Sequence, residues 1–322
     1  MDVARRRFAP LALPILLLAG GLMIRPAAAD SWVEPKFDPP VGSKWTVQRE
    51  INVEKTEHGT LIGHTLKQIA LLTVEEKTAD GYVMTYDRQS SSYEGDPAGA
   101  SRQRITFAAE QGMPLRFATD ASGKPLRIVN FAEFKTALKE AIAAQPIATA
   151  NSETLAATRR LADRMVSVDD QKAAELYLDE LPMLALGQNT GLQPGDIHRS
   201  TLPVANALVD GISKVLVLSI ARDDPATGKV RYLMTETYDP DSMKALVGQA
   251  AKDAALTHVS ADALDNALQS AAVVGVARAQ LDVAGGMTRE LRRQWVTSFR
   301  ELGSTATVTS EDELVTISPA AE

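Results

Sequence analysis

Polar and apolar residues alternate along much of this chain, and the period of the alternation changes at intervals. In "SKWTVQREINVE", Trp45, Val47, Ile51 and Val53 share one side, while Lys44, Thr46, Gln48, Glu50, Asn52 and Glu54 share the other. Period two with one apolar face predicts an antiparallel strand half buried against a core. "HTLKQIALLTVEEK" and "GYVMTYDRQ" predict further strands about a turn at Asp80-Gly81. "RQRITFA" continues the sheet, and "MPLRFATDASGKPLRIV" predicts a hairpin folded at Asp120–Gly123.

The period then lengthens. Phe131, Phe134, Leu138 and Ile142 recur at helical spacing in "NFAEFKTALKEAIAAQ", which Pro146 stops. "SETLAATRRLADRMV" and "SVDDQKAAELYLDELPML" predict more helix, the latter opened by Ser167 with Asp170 three residues on, in the manner of a capping box. Strand patterning returns in "GDIHRSTLPVAN", "GISKVLVLSIAR" and "GKVRYLMTETYDP". In the second of these, Val215 and Val217 alternate with Leu216, Leu218 and Ile220, which predicts a central strand covered on both faces. Two short helices, "DSMKALVGQAAKDAAL" and "SADALDNALQSA", precede three closing strands: "VVGVARAQLDVAG", "MTRELRRQWVTSF" and "TATVTSEDELVTI". Gly285-Gly286 between the first two is expected to be a hairpin tip, with Asp282 bonding to nearby backbone in the turn.

The expected fold is therefore α+β: curved antiparallel sheet packed on helices. Its parts are a leader over 1–29, a β-rich half over 30–130, a helical block over 131–190, and a second β-rich half over 191–322 with two inserted helices. Each half opens on a Pro/Gly stretch ("PPVGSKW", "LQPGDIH") and reaches an Asp-x-x-Gly hairpin, Asp120–Gly123 and Asp282–Gly285. An internal duplication would produce this order of parts.

The first 29 residues change the picture most. "MDVARRR" is cationic, the next 17 residues are apolar, and Ala27 and Ala29 stand at the small-residue positions of a cleavage site, with Asp30 opening the mature chain. Pro10 and Pro14 interrupt the run, so a cleaved export signal is expected rather than a membrane anchor. Arg5-Arg6 before Phe8 resembles a twin-arginine signal, but nothing downstream calls for folded export, which favours the general secretory route. The expected compartment is the periplasm or the exterior. Cleavage removes four Arg and one Asp, taking the formal charge from −7 to −10. That balance argues against nucleic acid and against an anionic membrane surface, both of which reward clustered Lys and Arg. No later stretch is apolar enough to span a bilayer. There is no cysteine, hence no disulfide, no acylated Cys and no thiol catalysis.

Candidate chemistry is sparse. His58 and His64 flank a turn beside Glu54 and Glu57, but the spacing matches no zinc signature, and a solvated hairpin accounts for them. Asp223 and Gly228 occupy the first and sixth positions of a calcium loop, whereas Pro225, Thr227 and Met234 fill its third, fifth and twelfth, so no such loop is read. Nucleophile-elbow, metalloprotease and phosphate-loop motifs are absent. No catalytic residue, metal ligand or cofactor is assigned. Two arginine groups, Arg159, Arg160 and Arg164, and Arg289, Arg292 and Arg293, are expected on solvated faces balanced by Asp163, Asp169, Asp170 and Glu290.

With strand-rich halves, a helical insertion and two Asp-x-x-Gly hairpins, the chain resembles uncharacterised exported β-rich proteins of Gram-negative bacteria. Its layout is similar to the half-barrels of periplasmic lipoprotein carriers. That resemblance implies a sheet enclosing helices and an acyl-chain ligand, although this chain is longer than one such half-barrel. The leading expectation is a non-enzymatic periplasmic protein that binds a hydrophobic or lipidic ligand or an envelope partner; Trp45, Val47, Tyr82 and Met84 are its lining candidates, with core packing the first reading of each. The alternatives are a structural or interaction module of the envelope, pairing through strand edges, and a hydrolase with an unmarked carboxylate site.

Overall fold

A computed structural model describes residues 34–57, 60–95, 107–108, 110–111, 113–144, 163, 166–181, 191–203, 213–224, 229–245, 272–300 and 307–320. The leader with Ala27, Ala29 and Asp30, most of "SETLAATRRLADRMV", the helix "SADALDNALQSA", His58, His258 and Arg159, Arg160 and Arg164 lie outside them.

Eleven strands carry the fold: β1 (Lys44–Glu57), β2 (Thr60–Lys77), β3 (Tyr82–Glu94), β4 (Leu115–Thr119), β5 (Pro125–Ile128), β6 (Ile197–Pro203), β7 (Ser213–Asp224), β8 (Lys229–Tyr238), β9 (Ala272–Ala284), β10 (Met287–Arg300) and β11 (Thr307–Pro319). They form one antiparallel sheet in the order β5-β4-β3-β2-β1-β11-β10-β9-β8-β7-β6. Both β-rich regions are thus runs of the same sheet. They are joined at its centre where β1 pairs with β11, Val47 opposite Ile317 and Arg49 opposite Val315.

This corrects the expected α+β class with its sheets packed on helices. Among the described residues the fold is mostly β, and helix is confined to short segments, chiefly α1 (Phe131–Ala143) and α2 (Asp170–Tyr177). The reason is one of dimensions. Helices of 13 and 8 residues are only about 20 and 12 Å long, whereas eleven strands about 4.8 Å apart span roughly 48 Å. The principal helix–strand contact is that of α2 with the edge strand β5.

The predicted periodicities recover these elements with four exceptions. Phe107 and Ala108, expected in a strand, are helical. The N-cap of α2 is Asp169, which accepts from Lys172 N at 2.7 Å, not Ser167. Strand β7 lies next to the edge rather than at the centre; Leu216 and Leu218 are buried, while Val215 and Val217 are half-buried. Asp282 does not serve as a turn residue, since its carboxylate pairs with Arg231 on β8 at 2.7 Å through both oxygens.

Alternation gives the sheet two distinct faces. The inner face presents Trp45 and Val47, Leu72 and Val74, Met84, Phe117, Tyr232 and Met234, Leu281, Leu291, and Val315 and Ile317, all buried. Phe131, Phe134, Leu138, Ala173, Ala174, Tyr177, Leu178 and Leu181 join this core, with the Phe134 and Tyr177 rings edge to face at 4.7 Å. The lead-in, residues 34–40, closes one end of it. Phe37 sits edge-on to Tyr82 at 5.1 Å, and Lys77 bonds Asp38 at 2.5 Å.

Candidate ligand groove

The lining candidates drawn from the sequence all fall inside the core. Trp45 is 8% exposed, and Val47, Tyr82 and Met84 are 3% or less. Met84 borders a crevice of about 10 Å³ with Leu72, Phe117, Leu181 and Met287. Their apolar character is used in packing.

The inner face also holds a feature that the alternation did not announce, a chain of opposite charges crossing the sheet. Lys214 on β7 bonds Glu236 on β8. Glu236 meets Arg293 of β10 at 3.1 Å, and Arg293 meets Glu313 of β11 at 3.6 Å. Glu313 accepts from Arg49 of β1 at 2.7 Å. Arg49 also holds Asp179 at 3.0 Å and Glu180 at 3.4 Å, just beyond α2. Glu180 in turn accepts from the Tyr86 hydroxyl at 2.5 Å and lies 3.5 Å from Arg88, which bonds Glu110 at 2.6 Å. Two intervening strands present alanine here: Ala277 and Ala279 on β9, and Ala70 on β2. These small side chains let charges two strands apart meet.

Burial sets the ionisation of this chain. It pushes Glu180 up to about 7, with Asp179 beside it adding to the rise and Arg49 and Arg88 opposing it. Burial likewise raises Glu110 against the pull of Arg88. Asp179, its side chain half exposed, moves the other way: burial opposes the shift, but Arg49 outweighs it and holds the carboxyl low. The Arg88–Glu110 pair, buried on both sides, is costly to break, because removing one partner leaves a charge stranded out of water. Strand parity offered a partial signal for the chain of charges. Arg49, Glu236, Arg293 and Glu313 each stand at an inward position of their strand. Arg293 therefore lies in this seam and not on the solvated face expected for its group.

Open volume lies on the opposite face. A groove of about 680 Å³ crosses β8, β9, β10, β11 and β1. Most of its residues alternate with the core positions and so face the outer side of the sheet, while Met234, Ala279, Arg293 and Glu313, which point inward, also border it. The register aligns the outward residues into two rows. One runs Leu233–Gln280–Arg292–Leu314–Glu50, each residue directly opposite the next. The other runs Thr235–Arg278–Gln294–Asp312–Asn52. The exposed surface within the groove is mostly carbon. Leu233 is 46% exposed and Leu314 36%, and the stems of Arg278, Arg292 and the glutamines flank them. Polar tips form the rim: Gln294 donates to Asp312 at 3.1 Å, Asn52 to Glu50 at 3.3 Å, and Arg292 to Glu290 at 2.6 Å.

Other candidates do not assemble. His64 stacks on Tyr93, ring centroids 5.3 Å apart, and among the described residues no group of three or more His, Asp or Glu could hold a metal ion. Among the same residues no helix is long and apolar enough to cross a membrane.

No protein-family model and no curated protein matches the chain. Solved structures do. Lipovitellin, in a structure describing its lipid–protein interactions, is similar over 88% of this chain at 9% identity with a TM-score of 0.42. The match covers 26% of lipovitellin, so the chain spans about a quarter of that protein. An outer membrane channel from Pseudomonas putida F1 is similar over 92% of this chain and 100% of its own, at 9% identity and a TM-score of 0.19.

Proposed function

We propose that this chain is an exported, non-enzymatic protein of the periplasm that binds a hydrophobic or lipidic ligand in the groove across β8–β11 and β1. The groove is the observation that carries the reading. Its volume falls within the roughly 300–1,000 Å³ of small-molecule sites, and its surface pairs a carbon floor with polar edges, as such sites do. It lies on the sheet face away from the core, so filling it requires no loss of packing. The two rows are about 7 Å apart along the strands, and five strands extend about 19 Å across them, which suits one extended acyl chain. Export rests on the cationic, apolar and Ala-x-Ala order of residues 1–29.

Two measurements test the reading. The secreted protein should begin at Asp30 when its N-terminus is sequenced; an intact leader on the exported form would refute the processing. Residues 30–322 should take up a fluorescent long-chain fatty acid. Leu233→Asp with Leu314→Asp should weaken that uptake at least tenfold, about 1.4 kcal/mol. Val274→Asp, an exposed position beyond the groove, should leave it unchanged. Equal uptake by all three would remove the groove from consideration.

A second reading, an envelope interaction module, is favoured by the sheet edges. Among the described residues β5 and β6 each have one neighbour in the sheet, and Ile197 on β6 is 72% exposed. An unpaired edge is a template for strand addition. Crosslinking from position 197 in cells should then trap one defined protein, and Ile197→Lys should abolish the adduct.

A further inference from the structure

A second recess lies beside the groove, toward the β9–β10 hairpin. Two residues beyond Leu233, Gln280 and Arg292, on the same outer face, comes the row Arg231–Asp282–Glu290. It opens this recess, of about 510 Å³, which Lys229 and Arg289 also line. The charges in this recess are unequally committed. Arg231 is bound by Asp282 through two bonds of 2.7 Å, and Glu290 is bound by Arg292 at 2.6 Å. Both carboxylates are thus paired. Arg289 has no carboxylate partner among the described residues, and Lys229 stands across the strand from Asp224 with its charge felt by Asp282. Arg289 gives its Nε to Ala284 O at 3.3 Å, and its Nη1 is enclosed with no acceptor. In a chain of formal charge −7, this is a local excess of cation beside an apolar trough.

Resting on the reading of the groove as an acyl-chain site, we infer that its ligand is a long-chain fatty acid, the carboxylate held at Arg289 and Lys229 and the chain laid along Leu233–Gln280–Arg292–Leu314. A carboxylate suits the recess better than a phosphate. It carries one charge rather than nearly two, and Asp282 and Glu290 line the same space and repel a dianion more strongly. The two cations also match two carboxylate oxygens. Lys229 stands at the rim opposite Asp224 in the β7 register, and Arg289 occupies the extra position of the bulge between Thr288 and Glu290. The bulge is what places an arginine on this recess, because it adds a residue that the alternation of β10 would not have placed there.

The test compares hexadecanoic acid with hexadecanol, titrated into residues 30–322. The acid should bind at least tenfold more tightly than the alcohol at neutral pH and low salt. Arg289→Gln should remove that preference while leaving the alcohol unchanged, and Lys229→Gln, at an exposed position, should reduce it several-fold without disturbing the hairpin. Equal binding of acid and alcohol, or a preference that survives both variants, overturns the headgroup assignment and leaves the groove standing. Tighter binding of hexadecyl phosphate than of the acid overturns the choice of carboxylate. Binding of none of the three overturns the groove reading itself.

Discussion

Single residues show where this fold is least forgiving. The β9–β10 tip is a two-residue turn with Gly285 at φ 61° and Gly286 at φ 72°, as expected from the Gly-Gly pair. A Cβ on Gly286 would lie 1.6 Å from Lys36 O, so the hairpin also seats the lead-in. Gly123, at the other Asp-x-x-Gly hairpin, meets the Phe37 ring in the same way, at 2.8 Å. Gly286→Ala should therefore cost about 3 kcal/mol or more by chemical denaturation, combining positive-φ strain with a backbone clash. Gly42→Ala, at φ 88° with nothing near its Cβ, should cost only about 1–2 kcal/mol. Equal losses would show that the lead-in is not held there.

Glu180 gives a prediction in pH. An unfolded Glu ionises near 4.5, whereas this one is raised to about 7 by burial. Between those values the folded chain keeps a proton that the unfolded chain has lost. Stability from this group is thus fully present below 4.5 and falls as pH rises through 7, by at most about 1.4 kcal/mol per unit. Asp179 has the opposite sign, its contribution being lost as pH falls below the usual aspartate range. The stability of the natural chain relative to Glu180→Gln should decline from pH 5 to pH 7 in urea melts. A flat or rising difference would contradict the buried, proton-holding carboxyl. None of this was legible from residue type alone. Arg49 could have been suspected, because its parity places it beside Trp45 and Val47, but the identity of its partners depends on β11 and on residues 179–180.

At the scale of elements, alternation located the strands well because each has one buried face whose signal repeats every second residue. The hairpin at Asp120–Gly123 was legible in detail: Asp120 accepts from Ser122 N at 2.8 Å and Lys124 N at 3.0 Å, the local bonding that Asp brings to turns. The similar sequence at Asp282 behaves differently, because a strand neighbour supplies Arg231 and a cross-strand ion pair takes the carboxylate. Helix α2 illustrates a near miss. Ser167 and Asp170 carry the spacing of a capping box, yet Ser167 lies in a helical stretch that precedes α2, and Asp169 caps α2. Asp169→Ala should lower stability by about 1 kcal/mol and Asp169→Asn by much less, since Asn also caps. A urea midpoint unchanged by Asp169→Ala would move the start of α2.

For the whole molecule, local pattern gave no sign that the two β-rich regions share one sheet. Their junction pairs β1 with β11 at the two ends of the described chain, and such distant pairings leave no local trace. The same gap left core packing and ligand lining as alternative readings of the same residues. Trp45 and Met84 are apolar and alternate correctly, but only the assembled sheet shows that the inner face is packed and that the outer face is indented. The outer rows Leu233–Gln280–Arg292–Leu314–Glu50 mix polar and apolar residues from five strands, so no single segment displays them as a site. The central claim is that ligand sits on this outer face. The most direct measurement is photolabelling of residues 30–322 with a diazirine-bearing fatty acid, followed by mapping of the labelled residues by mass spectrometry. The account predicts labels on Leu233, Gln280, Arg292 and Leu314; labels on Trp45, Val47, Tyr82 and Met84 would contradict it.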